Sequence, residues 1–131
     1  MSFQSGPASV GHALLRADWP APPGVAASTP LGPGAGVSAA PFDRFNPGGR
    51  CGDDPAAVAA NRAGLLRGVG LPSPPHWLRQ VHGTGVLRFD APGVEAAVDA
   101  DPGADASVRA MPGVVLAILP ADCLPVVFAA V

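Results

Sequence analysis

Two side chains in this sequence combine a reactive type with an unusual setting. His82 stands in Gln80-Val81-His82-Gly83, at the end of an alternating segment and close to a second glycine, Gly85. Cys123 stands in Ala121-Asp122-Cys123-Leu124-Pro125, where a polar pair interrupts two apolar runs. Imidazole nitrogen and thiolate sulfur are both good zinc ligands. Asp122 would be costly to bury unpaired, so it needs a partner or the edge of a cavity. Other readings of the same residues stay open. Cys123 could be a nucleophile with His82 as its base. His82 could equally be a satisfied structural histidine, and Cys123 a small buried hydrophobe. Cys51, beside Gly52 and Asp53, reads as structural, and His12 and His76 as solvent-facing.

The elements that must position these residues follow from pattern. Residues 1–13 read as a disordered lead, and residues 14–47, rich in Pro, Gly, Ala and Ser, as loops with one or two short strands. Residues 53–70 form the clearest helix. Asp53 or Asp54 can cap its N–H groups, Pro55 suits its first position, and Gly68 or Gly70 ends it. Val58, Leu65 and Val69 give it an apolar stripe. Residues 76–82 alternate as a strand does, with Trp77, Arg79 and Val81 on one face and Leu78, Gln80 and His82 on the other. A turn at Gly83 and Gly85 leads to a second strand over 86–89, and a short strand is expected over 104–109. The β-branched run 114–119 suits a strand buried on both faces, and 126–131 a further apolar strand. That last strand has no polar cap or turn after it, which is how a sheet cut short would look. The fold class expected is α/β (α+β), a mixed β-sheet core with flanking helices, truncated, with one domain over 14–131.

Composition narrows the function classes. With 131 residues the chain can bury a real core. The net charge is −2 and no basic stripe is visible, so neither nucleic acid nor an anionic membrane is an expected partner. No apolar run matches a membrane span, and the start lacks a basic segment followed by an apolar one. Two cysteines make no disulfide framework, so a reducing cytoplasm is the expected location.

Four blocks, in order, carry a more specific signal. They are Gly36-Val37-Ser38 with Pro41-Phe42 and Asn46; Gly52-Asp53-Asp54-Pro55-Ala56-Ala57-Val58 with Asn61-Arg62; Trp77-Leu78-Arg79-Gln80-Val81-His82-Gly83; and Ala104-Asp105-Ala106, then Pro112-Gly113, then Ala121-Asp122-Cys123-Leu124-Pro125. Together they resemble the laccase-domain (multicopper polyphenol oxidase-like) purine nucleoside phosphorylase family across roughly residues 14–131. The sequence departs from that pattern in places. Pro47 follows Asn46 where Leu is usual, and Pro120 precedes Ala-Asp-Cys where Thr is common.

The resemblance implies zinc-dependent phosphorolysis of adenosine, inosine and methylthioadenosine, with adenosine deamination as a related activity. It implies His82 and Cys123 as catalytic residues and metal ligands, and Gln80, Asn46 and Asp122 as candidate substrate contacts. Zinc is preferred to copper, because three copper centres would need many more than the 3 histidines present. Three protein ligands would leave a fourth position open for water, phosphate or substrate. The family's third ligand, the His of a downstream His-Ala-Gly-Trp-Arg-Gly motif, has no counterpart in these residues. The 131 residues alone are therefore expected to be inactive, with a non-catalytic remnant that binds purine or a partner as the alternative.

Overall fold

The computed structural model describes residues 2–7, 13–30, 36–40, 47–48, 52–119 and 124–130. Two small sheets and one long helix make up its regular structure. Strands β1 (Ser2–Pro7), β2 (Ala13–Asp18) and β3 (Ser28–Pro30) form an antiparallel sheet in that order. Ser2 pairs with Asp18 and Pro7 with Ala13, while Leu14 pairs with Pro30 and Arg16 with Ser28. Where the sequence leads one to expect a disordered lead over 1–13, the structure places β1. The reason is main-chain pairing: a six-residue register with β2 gives the segment backbone partners that its side-chain pattern does not advertise.

Helix α1 (Pro55–Val69) follows the sequence expectation closely. The Asp54 side chain accepts from the Ala56 N–H at 3.1 Å, and Pro55 fills the first turn. Gly70 closes the helix in the left-handed region at φ 72°, with its N–H on the Leu66 carbonyl. Val58, Asn61, Arg62, Leu65 and Gly68 are buried, which is one face of the helix at three- and four-residue spacing. Val69, expected in the stripe, is half-buried.

The second sheet pairs β4 (Val86–Arg88) and β5 (Ala106–Val108) in parallel, with Val86 opposite Ala106 and Arg88 opposite Val108. A three-residue 3-10 turn, Val98–Ala100, lies in the loop between them and touches α1. The alternating segment 76–82 is more irregular than expected. It is held by isolated parallel bridges, His76 to Leu116 on one side and Arg79 to Gly103 on the other. Leu78, between those bridges, is 1% exposed, and with Val58, Leu65, Ala104 and Val114 it forms the core beside α1.

Two further expectations change. The run 114–119 is a single bridge residue in an extended segment, and only Val114 in it is buried. Among the described residues its main-chain bonds run to His76, whose N–H donates to the Val115 carbonyl and whose carbonyl accepts the Ala117 N–H, and residues 115–119 are half-buried. Residues 124–130 are irregular and largely exposed, with Phe128 at 90%. An apolar, β-branched run becomes a strand only when an edge is available to pair with it, and none of the described residues pairs with this one.

Candidate functional site

The Gln-Val-His-Gly segment ends its extended course at an abrupt turn. His82 sits at φ 56°, in the left-handed region that a non-glycine residue rarely occupies. That conformation costs roughly 1–2 kcal/mol for an ordinary L residue. One side chain holds it there. Asp105 Oδ1 accepts the N–H groups of Val81 at 3.1 Å and His82 at 2.9 Å, and Oδ2 accepts that of Gly83 at 2.7 Å. Three successive amides thus converge on one half-buried carboxylate. The Gly83 N–H foremost, with those of His82 and Val81, holds the Asp105 carboxyl below its ordinary value, against a smaller opposing effect of burial. A carboxylate with a depressed pKa makes this contribution in full above its ordinary pKa. The contribution is lost only as pH falls below that value and through the folded one.

The imidazole of His82 is exposed and makes no hydrogen bond to any described residue. The turn therefore satisfies its three N–H groups and leaves the ring unspent. Gln80, expected as a substrate contact, uses its side-chain carbonyl to accept the Leu119 N–H at 2.9 Å. This bond ties the His82 segment to the end of the run that leads toward Cys123. Cys123, Asp122 and Asn46 lie outside the described residues. Among the described residues no three His, Cys, Asp or Glu side chains gather as a metal site.

A second polar cluster surrounds α1. Arg62 grips Asp101 through two bonds, Nη1 to Oδ1 at 3.0 Å and Nη2 to Oδ2 at 2.8 Å, and its Nε donates to the Pro47 carbonyl at 2.9 Å. The guanidinium also lies 4.5 Å over the Trp77 ring. Asn61 Oδ1 accepts the Val37 N–H, its amide donates to the Ser38 hydroxyl, and that hydroxyl donates to Asp53. These contacts fasten the Gly-Val-Ser and Gly-Asp-Asp-Pro blocks to each other. They hold loops and helix together.

His76 differs from the solvent-facing reading. It is half-buried, stacks on Phe89 with ring centroids 4.0 Å apart, and has its Nε2 2.8 Å from the Ala91 carbonyl. It borders a cleft of about 340 Å³ between α1 and the 89–102 loop, lined also by Trp77, Leu66 and Val94. Gly93 is required here, since a Cβ would run into the Pro74 carbonyl.

The residue that sequence reasoning passed over is Asp105. Its block, Ala104-Asp105-Ala106, carried the resemblance but no role. The available signal was a lone carboxylate among small residues, together with a His-Gly turn whose N–H groups needed an acceptor.

Comparison with known proteins bears on the whole arrangement. Residues 32–131 match the family described as multi-copper polyphenol oxidoreductase laccase. The chain is 58% identical over 121 residues to a purine nucleoside phosphorylase of Xylella fastidiosa, covering 90% of this chain and 46% of that protein. It is 46% identical over 117 residues to the purine nucleoside phosphorylase YfiH of Escherichia coli, covering 88% and 45%. The crystal structure of a Neisseria meningitidis protein superposes with a TM-score of 0.67 at 39% identity, covering 84% of this chain and 42% of that one. The chain thus spans about half the length of the curated relatives it matches.

Proposed function

The chain belongs to the multi-copper polyphenol oxidoreductase laccase family, and we propose that it contributes His82 and Cys123 to the zinc site of a purine nucleoside phosphorylase. The relatives' names support the reaction class, and the setting of His82 supports the ligand role. Its ring projects from an exposed turn, uncommitted to any described residue, while Asp105 accepts the turn's three N–H groups. This observation carries the proposal.

The donor types fit zinc, which accepts imidazole and thiolate together. Copper is the less favoured metal: imidazole and thiolate could hold it too, but three copper centres would need many more histidines than the 3 in these residues. When bound, zinc supplies a Lewis acid that polarises a substrate oxygen. The chain's own residues do the rest of the positioning. Gln80 fixes the end of the 114–119 segment, from which the chain runs on to Cys123. Asp122 beside it orients a ligand or relays a proton, and Asn46 contacts substrate.

In phosphorolysis a phosphate oxygen forms a new bond to the ribose C1′ as the C1′–N9 bond breaks. The electron pair of that bond leaves with the purine, giving free base and ribose 1-phosphate. Adenosine, inosine and methylthioadenosine are the substrates we propose. Adenosine deamination, in which water replaces the amino group and ammonia leaves, is a further activity of the same site. The site is cytoplasmic in this reading.

One imidazole and one thiolate are two of the three protein ligands that an open catalytic zinc requires. The 131 residues by themselves should therefore bind zinc weakly and be inactive or nearly so. The test is zinc titration of this chain against a chromophoric chelator, with inosine phosphorolysis assayed in parallel. Weak binding abolished by His82→Ala and by Cys123→Ala is expected, with no hypoxanthine released. Zinc binding unaffected by either substitution would overturn the ligand assignment. Phosphate-dependent hypoxanthine release lost on His82→Ala would overturn the claim that these residues are insufficient.

A further inference from the structure

We propose that Asp105 is a positioning residue, whose carboxylate holds the 81–83 turn so that His82 presents its imidazole in one fixed direction. The inference rests on the reading of His82 as a zinc ligand and extends it to a residue that touches neither metal nor substrate. Its basis is geometric. A single carboxylate takes the N–H groups of Val81, His82 and Gly83 at 2.7–3.1 Å, and the middle residue of the three is the one with φ 56°.

The hydrogen bonds to both flanking amides matter. With His82 alone bonded, the peptide could rotate about it. With Val81 and Gly83 also bonded to the same carboxylate, the backbone on both sides of the His82 Cα–Cβ bond is held. Asp105 is itself anchored, because it sits between Ala104, whose N–H donates to the Arg79 carbonyl at 3.1 Å, and β5, which pairs with β4. Its own N–H reaches the Gly85 carbonyl at 3.3 Å. The carboxylate is therefore tied into the sheet on one side and into the His82 turn on the other. A ligand held in advance loses less freedom on binding a metal, and removing such supporting partners typically weakens metal affinity about 10–100-fold.

Asparagine at position 105 keeps one acceptor oxygen but turns an NH₂ toward an N–H group, so it breaks at least one of the three bonds. Alanine breaks all three. The experiment compares wild type, Asp105→Asn and Asp105→Ala by amide hydrogen exchange at residues 81–83, by thermal midpoint and by zinc affinity. Asp90→Asn, in an exposed pair with Arg88, serves as the control. The expected result is lost protection at 81–83 and zinc binding weakened about tenfold or more in both variants, with protection in α1 unchanged. Asp105→Asn keeps the measurement available should Asp105→Ala not fold.

The two readings fail separately. If wild type binds no zinc, the function proposed for His82 falls, and the exchange data alone decide whether the clamp exists. Unchanged protection at 81–83 in both variants would overturn the clamp itself. Lost protection with unchanged zinc affinity would overturn its role in presenting His82.

Discussion

Two polar regions of this molecule are built on opposite terms. Around α1, Arg62 and Asp101 are 10% and 15% exposed at their side chains, and Asn61 is 1% exposed. Each spends its side chain on another part of the chain, and no buried side-chain polar atom among the described residues lacks a partner. At the His82 turn the accounting is reversed. Three backbone N–H groups are taken by Asp105, while the side chain at the centre is exposed and uncommitted. Saturated, buried side chains set shape. A fixed backbone under an unspent side chain is what a ligand site needs.

The contrast breaks most visibly at Arg62. Arg62→Ala removes a bidentate ion pair, a bond to the Pro47 carbonyl and the contact over Trp77, and it leaves Asp101 without its cation in a largely buried place. The expected loss is about 3–5 kcal/mol in denaturant unfolding. Zinc binding should fall only in proportion to the unfolded fraction. A loss under about 1 kcal/mol would show that the cluster is surface decoration.

Asn61→Ala ranks next. It strands the Val37 N–H and removes a partner from Ser38, with an expected cost of about 1–3 kcal/mol. Amide exchange at Val37 should rise in the same variant, while residues 81–83 keep their protection. Asp54→Ala, which removes the helix cap, should cost about 1 kcal/mol and fray only the first turn of α1.

How much of this was legible in the sequence follows the range of the forces involved. Helix α1 was legible because its determinants are local: Asp54, Pro55 and Gly70 stand at its ends and a stripe of buried positions runs between them. The strands β4 and β5 and the turn at Gly83 were legible for the same reason. Strand β1 was not, since its pairing with β2 is made by main-chain groups that every residue carries. The stacking of His76 on Phe89 joins residues from different segments, and nothing in either segment announces it. The run expected as a strand over 126–131 shows the converse: its described residues, 126–130, are irregular, because pattern supplies no neighbour. Asp105 lies more than twenty positions from the turn it holds, so motif order placed both in the family without linking them. Of the candidate site, His82 and Gln80 can be followed into the structure, and the resemblance alone speaks for Asn46, Asp122 and Cys123.

The smallest expected effect has the opposite sign and is the sharpest test of the contrast. His82→Gly removes an exposed ring, and it replaces a residue at φ 56° with the one residue that adopts that angle freely. Relief of the left-handed conformation is worth roughly 1–2 kcal/mol, and the extra freedom of glycine in the unfolded chain takes back roughly 0.4–1 kcal/mol. The net expectation is a protein unchanged or more stable by up to about 1 kcal/mol, with zinc binding abolished. A residue that costs stability where it stands, and whose removal harms only binding, is being kept for its side chain. If His82→Gly instead lowers the unfolding midpoint appreciably, the ring is part of the packing. The distinction between the two regions would then disappear.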